Sequence, residues 1–359
     1  MSAQQEVEEL SERQRNLLKA VIREYVETGK PVGSRRLTKL DPEGMSAATI
    51  RNAMADLEDL GFVTQPHTSA GRVPTAEGYR FYVDSLIEAG PLSRRDLEKI
   101  KESLAQESDP GELMDKTSKI LSSFSNNLGF VLAPPISSIV IKRIEFIKIA
   151  HRRVVVLLVS KSGLVQHRTI QTGEDWEQTE LDQAGRYLAT HFSGKTLTET
   201  RAELLAMMSE EKALYDRMLK NVILLGSAGL MAHEEDDPSE GEVYFGGMSG
   251  IMEKPEMADV NRMISLFEAF EEKSRLVQII SQCLRREDPS GPAVTIGLDD
   301  SLPAELRDWT IISSPYRSES RIMGGLGVIG PSRMEYEKAI SLVDYVAKLV
   351  GKLISQQEF

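Results

Sequence analysis

Met45-Ser46-Ala47-Ala48-Thr49-Ile50-Arg51-Asn52-Ala53-Met54-Ala55-Asp56-Leu57-Glu58, continuing through Asp59-Leu60-Gly61-Phe62-Val63-Thr64-Gln65, is the stretch on which the fold turns. Ile50, Met54, Leu57 and Leu60 recur at helical spacing, so they form one buried stripe of a helix that starts near Ser46 and stops at Gly61. That leaves Ser46, Ala47, Thr49, Arg51 and Asn52 on the outer side of its first two turns. Residues 61 to 65 then read as a strand, Pro66 to Gly71 as a polar tip, and Arg72-Val73-Pro74 as a returning edge strand.

Working back from there, Ser11-Glu12-Arg13-Gln14 is a capping-box pattern ahead of Leu17, Leu18, Val21, Ile22, Tyr25 and Val26. A helix over about 12 to 28 follows, ended by Gly29-Lys30-Pro31. Ser34 caps a short second helix with Leu37 and Leu40 on its inner side, and Asp41-Pro42-Glu43-Gly44 makes the turn into the third. Three helices and a hairpin make a winged helix-turn-helix. In such a unit the third helix reads the major groove of DNA and the wing lies along the backbone or minor groove.

The residue types suit that task. Arginine matches guanine and asparagine matches adenine, while a small Ala or Thr can meet a thymine methyl, which makes Arg51 and Asn52 the favoured base readers. Ser46, Ala47 and Thr49 beside them, and His67, Thr68, Ser69 and Arg72 on the wing, are the further candidate DNA contacts. The plainer alternatives are an ion pair of Arg51 with Glu58 and a merely solvated Asn52. The absence of acidic residues from Met45 through Ala55 favours the DNA reading.

Further along, Thr75, Tyr79, Tyr82, Val83, Leu86 and Ile87 suggest a connecting helix, broken by Gly90-Pro91, and a further helical pattern runs to about 127. Ile139 to Ile149 alternates, Val154 to Val159 is continuously apolar and Leu164 to Ile170 follows, so 128 to 175 reads as sheet. Helical periodicity returns from about 177 to 231 and closes on an acidic loop, Glu234 to Glu242. Strand-like Val243 to Phe245, a long helix over about 256 to 286, strands near 293 to 297, 309 to 313 and 326 to 329, and a helix over about 333 to 354 complete the pattern. A sheet interrupted by a helical block and then resumed suggests an α+β domain carrying an insertion.

The chain has 359 residues, enough for two or three compact units, with 41% hydrophobic and 27% charged residues, a globular composition. Its net charge of −12 speaks against binding a polyanion. Residues 1 to 85 carry only −2 of it, with 11 basic and 13 acidic side chains, so any positive footprint must come from arrangement. No long apolar run and no signal-peptide layout appear, which makes the expected location the cytoplasm, with no membrane. Cys283 is the sole cysteine, excluding an intramolecular disulfide and a thiolate cluster, and its helical context reads as a buried inert thiol.

Catalytic motifs are approached and missed. Gly325-Leu326-Gly327-Val328-Ile329-Gly330 matches a dinucleotide fingerprint, yet the preceding segment is polar, the apolar centre reads as a strand, and the chain lacks a following βαβ unit. Gly194-Lys195-Thr196 resembles the end of a P-loop, but Ala189 stands where the first glycine belongs. His67, His151, His167, His191 and His233 show no ligand spacing. No enzyme, cofactor or metal is expected. Met207, Met208, Met218, Met231, Met248, Met252, Met257 and Met263 crowd the middle, as core filling or, in the helical insertion, as an adaptable subunit contact.

Residues 45 to 58 together with Pro66-His67-Thr68-Ser69-Ala70-Gly71-Arg72-Val73-Pro74-Thr75 and Gly78-Tyr79-Arg80 resemble the heat-inducible transcription repressors of the HrcA family. Gly327-Val328-Ile329-Gly330-Pro331-Ser332-Arg333-Met334 with Tyr336 resembles that family's C-terminal signature. The resemblance implies a winged-helix domain with connecting helix over 1–88. Beyond it, it implies a GAF-like α/β domain over 92–175 and 242–359, interrupted by a mostly helical dimerisation insertion over 176–241. It further implies a homodimer on an inverted-repeat operator upstream of chaperone operons, kept active by a GroEL-type chaperonin. Heat would act through marginal stability, as chaperonin engaged by unfolded proteins ceases to refold the repressor. Against this stand a winged-helix regulator sensing a small molecule through its GAF-like domain, for which a convergent polar pocket would argue, and an enzyme, for which nucleotide binding at Gly325 to Gly330 is the test.

Overall fold

A computed structural model describes residues 10–40, 45–68, 70–87, 90–107, 109–133, 140–161, 165–209, 225, 243–271, 273–284, 291–297, 309–318 and 321–356. The chain begins with three helices, α1 (Glu12–Thr28), α2 (Ser34–Leu40) and α3 (Ala47–Asp59), and a two-stranded antiparallel wing, β1 (Val63–Thr64) and β2 (Val73–Pro74). The Ser11 capping box forms with both of its hydrogen bonds, and Gly29 closes α1 in the left-handed region at φ 66°. Leu18, Val21, Ile22, Leu37, Ile50 and Leu57 are fully buried between the helices. Leu40 and Leu60, expected inward, are 47% and 43% exposed: each is the last residue of its stripe, where the helix ends before the core can reach it.

Helix α4 (Ala76–Phe81), capped by Thr75 and prolonged by a π-helical turn (Tyr82–Leu86), leads into α5 (Arg94–Ala105) and α6 (Pro110–Ser125). The single helical pattern expected up to 127 is thus two helices, because Asp109 caps a new start and Pro110 takes its first position. Strands β3 (Leu128–Leu132), β7 (Val243–Gly246), β8 (Ala293–Ile296), β9 (Trp309–Ser318) and β10 (Arg321–Pro331) form a five-stranded antiparallel sheet in the order β7-β3-β10-β9-β8. Helix α12 (Tyr336–Gln356) packs with α5 and α6 on one face, around Ile312, Tyr316, Leu326 and Val328. On the other face lie α9 (Met248–Met252), a 3-10 turn (Pro255–Ala258), α10 (Val260–Glu271) and α11 (Lys273–Leu284), around Phe130, Trp309, Ile311 and Ile329. The long helix expected over 256 to 286 is these shorter pieces. Cys283 is buried among them, and Met257, Met248 and Met263 fill the same core.

The fingerprint-like Gly325 to Gly330 lies inside β10, hydrogen-bonded to β3 and β9 on either side. A Cβ on Gly327 would stand 2.1 Å from the Ile312 carbonyl oxygen and 2.8 Å from the Phe130 ring, so this glycine serves close packing of a sheet.

One expectation is overturned. The strands β4 (Ile141–Ala150), β5 (Arg153–Ser160) and β6 (Val165–Gln171) do not join the large sheet; they form a separate three-stranded antiparallel sheet. Helices α7 (Gln178–Phe192) and α8 (Leu197–Ser209) complete it, with a core of its own formed by Ile144, Phe146, Val154, Val156, Leu158, Ile170, Leu181, Ala184, Leu188 and Leu204. The backbone of Ile141 bonds to Lys195 and Gly194, closing the unit. Among the described residues the chain between β3 and β7 therefore carries these three strands from near 140 ahead of α7 and α8, which are the described part of the helical block expected over 176–241. The side chains of Met207, Met208, Met218 and Met231, and the acidic loop Glu234 to Glu242, lie outside the described residues.

Candidate nucleic-acid interface

Ser46 caps α3. Its backbone is extended at φ −66° and ψ 150°, and its Oγ accepts the Thr49 N–H at 3.1 Å while lying 2.9 Å from Thr49 Oγ1. The first turn carries no acidic residue, so the positive end of the helix dipole is left uncancelled. Burial of Ile50, Met54 and Leu57 fixes the rotation of the helix and turns Ala48, Thr49, Arg51 and Asn52 fully outward, with Ala47 half-buried. Among the described residues neither Arg51 nor Asn52 meets a hydrogen-bond or ion-pair partner; the Glu58 carboxylate considered for Arg51 is engaged elsewhere.

That carboxylate belongs to Arg72. The Arg72 Nη2 lies 2.7 Å from Glu58 Oε2, its side chain is only 19% exposed, and its Nε is buried without a partner. The sequence places Arg72 at the base of the wing, free for phosphate; the structure turns it back onto the recognition helix. Its backbone exchanges two hydrogen bonds with Val32, at 2.8 and 2.9 Å, so the segment between α1 and α2 is a third rung of the wing. Gly71 makes this possible, since a Cβ there would stand 2.4 Å from the Val32 carbonyl.

At the tip, His67 and Thr68 are exposed, and Ser69 lies outside the described residues. The Ala70 N–H donates to the His67 carbonyl at 2.8 Å, and Gln65 Nε2 donates to the carbonyls of Thr68 and Ala70 at 3.0 and 2.8 Å. Gln65 and Glu58 thus shape the wing from inside. Sequence reasoning missed both, because neither position carries a periodicity signal and each partner is several residues away. It also passed over Arg35 and Lys39, exposed cations of α2, and Ala48 on the outer face of α3. The third cation of α2, Arg36, is held at 2.8 Å by the buried Glu24 of α1.

Among the described residues no cluster of His, Cys, Asp or Glu could hold a metal ion, and no helix is long and apolar enough to cross a membrane. The surface just described offers a helix start, outward Arg, Asn and Thr side chains and a braced wing, which is chemistry for binding a polyanion and not for transforming a substrate.

Comparison with known proteins agrees with this geometry. Residues 9–85 match the family model "Winged helix-turn-helix transcription repressor, HrcA DNA-binding", and residues 111–340 match "HrcA protein C terminal domain". The chain is 40% identical over 349 residues to the heat-inducible transcription repressor HrcA of Syntrophobacter fumaroxidans, covering 97% of this chain and 98% of that one. With its counterpart from Geobacter sulfurreducens it shares 41% identity over 347 residues, covering 96% and 98%. A crystal structure of "a hypothetical protein", 23% identical, superposes with a TM-score of 0.63 over 97% of this chain and all of that one, and so shows the same fold.

Proposed function

The chain belongs to the HrcA family of heat-inducible transcription repressors, which bind DNA through a winged helix and are not enzymes, and from that premise we propose how this member recognises its operator. It binds an inverted repeat upstream of chaperone operons as a homodimer, each subunit laying α3 in the major groove. Arg51 and Asn52 read base edges, with Ala47 and Thr49 against thymine methyls or phosphate. The observation that carries this reading is the outward presentation of Arg51 and Asn52, without a partner among the described residues, on a capped helix whose first turn has no carboxylate.

Ser46 acts through its cap, holding the first turn in shape for phosphate approach. His67, Thr68 and Ser69 bring the wing tip to the backbone or minor groove, and Arg72 sets the wing's angle through Glu58. The large sheet with its helices is read as GAF-like and the β4–β6 unit as the dimerisation insertion. The open face of that smaller sheet supports the dimer: Val155, Leu157 and Val159 line its central strand, and Ile147 and Val165 beside them are 42% and 57% exposed. A GroEL-type chaperonin keeps the repressor folded and active until heat diverts it.

The test is fluorescence-anisotropy titration of an inverted-repeat duplex against a scrambled one at two salt concentrations. Tight, salt-sensitive binding to the repeat, with Arg51→Ala losing discrimination while retaining general affinity, is the expected result. Equal weak binding to both duplexes by a folded dimer would sink it. Full operator occupancy after heating without chaperonin would remove the heat mechanism alone.

A further inference from the structure

The reader domain meets the rest of the chain through a short segment that contains part of the C-terminal signature. Arg333, between β10 and α12, donates from Nη1 to the Val26 carbonyl at 3.0 Å, pairs through Nε with Glu256, and lies against Gly29 at the end of α1. Glu337, in the first turn of α12, accepts from Arg23 Nη2 at 2.5 Å and Nε at 3.2 Å, and from the Tyr82 hydroxyl at 3.0 Å. Burial pushes the Tyr82 phenol up to about 12, so it stays protonated and able to donate. On the opposite side Arg80 reaches the edge of the large sheet, donating from Nε at 3.2 Å and Nη2 at 3.0 Å to the Ile296 carbonyl.

Apolar contact holds the two parts together but has no preferred angle, whereas charge-assisted hydrogen bonds are directional. Here the rings of Tyr79, Tyr82 and Tyr336 supply the adhesion, and the three arginines and Glu337 supply the direction. An open cleft of about 630 Å³ lies beside Arg23, Tyr82 and Glu337, so no close packing on that side duplicates their work.

We propose that Glu337, Arg333 and Arg80, though far from the reading helix, are specificity-determining residues that fix the reader's angle and thereby select the spacing between operator half-sites. The inference rests on the dimeric inverted-repeat reading above. Two recognition helices can engage together only when their separation matches the half-sites, and each added base pair shifts the second site by roughly 3.4 Å along the duplex. A rigid joint gives the second contact a high effective concentration at one spacing; a loose joint spreads that advantage thinly over several. Loss of the latch therefore changes which operators are bound without touching a reading residue.

The experiment titrates full-length protein against duplexes whose half-sites are separated by spacers differing in single base pairs, and against a single half-site. Wild type is expected to show one preferred spacing. Glu337→Ala with Arg333→Ala should lose about tenfold at that spacing and flatten the profile to about twofold, while half-site affinity stays within about twofold. Glu337→Arg alone should flatten the profile and the exchanged pair Arg23→Glu with Glu337→Arg should restore the peak, which a general loss of stability would not allow, and melting curves check that each variant is folded. An unchanged peak in the double alanine variant, or an equal loss on the single half-site, overturns the latch. A wild-type chain indifferent to spacing instead overturns the inverted-repeat reading beneath it, and the latch falls with it.

Discussion

The reader domain and the β4–β6 unit are both continuous stretches of sequence, yet they are attached to the molecule in opposite ways. The buried residues of the reader, from Leu10 to Tyr82, belong to one hydrophobic cluster with Ile312, Tyr316, Leu326, Leu342, Val343 and Val346 of the large sheet and α12. The β4–β6 unit instead buries its own apolar residues, from Ile141 to Leu225, in a cluster that among the described residues includes nothing from outside it. The head that touches DNA is thus fused to the body, and the inserted unit is the one built as a separate module. On the dimeric reading proposed above, in which two heads are presented at a set distance, this is the useful arrangement, because a fused head transmits the geometry of the dimer while a tethered one would not.

The largest test of that contrast deletes core volume on each side. Leu342→Ala and Leu181→Ala each remove a fully buried leucine and are expected to cost about 2–5 kcal/mol. Leu342→Ala should lower a single transition in which reader and large sheet melt together, and operator binding should fail at that same temperature. Leu181→Ala should split off an earlier transition confined to 140–209, leaving half-site binding by the reader in place. Hydrogen exchange resolved by segment reads both outcomes; protection lost first in the reader of the Leu181→Ala variant would break the contrast.

A smaller effect separates reading from bracing within the reader itself. Arg51→Ala should cost about 1–3 kcal/mol of discrimination between operator and altered operator and leave the melting temperature unchanged. Arg72→Ala should do the reverse, lowering stability by about 1 kcal/mol through loss of the Glu58 pair and weakening operator and scrambled duplex alike. Discrimination lost in Arg72→Ala and kept in Arg51→Ala would exchange their roles.

Much of this was legible in the residues. The capping box at Ser11, the stripe of Ile50, Met54 and Leu57 and the polar tip between two short strands are local signals, and each element formed where its signal stood. The outward Arg51 and Asn52 follow from the same periodicity. Partner choice was not legible. Alternation over 139–149 and the apolar run over 154–159 announce strands, but a strand's neighbour is set by which apolar faces meet, and Ile144, Phe146 and Val156 find theirs on α7. Likewise a basic residue beside a wing suggests phosphate, while its actual partner, Glu58, lies 14 positions earlier on another element. Arg333 and Glu337 belong to the stretch that carries the C-terminal signature, yet their partners Val26 and Arg23 lie more than 300 positions away.

The smallest expected effect is electrostatic and again divides the two regions. Lys254 sits on the fused side, where burial lowers its ammonium from 10.5 to about 8 beside Glu256, Arg333 and Glu335, and its Nζ donates to Asn127 Oδ1 at 2.5 Å. Because the folded value lies below the unfolded one, the unfolded chain holds more protons between about pH 8 and 10.5, and stability rises with pH across that window. From pH 7 to 9 the gain is about 1 kcal/mol. Lys254 is no part of the inserted unit, whose ion pairs, Lys148 with Asp175 and Lys195 with Glu203, stand at the surface. Lys254→Met leaves the Asn127 oxygen unpaired, so its absolute stability is a mixed quantity; the slope is not. Subtracting the variant's pH profile from wild type should leave a rise in the melting of the shared core and a flat line for 140–209. A flat difference in both would mean that Lys254 is solvated in solution and contributes no buried charge to the junction at neutral pH.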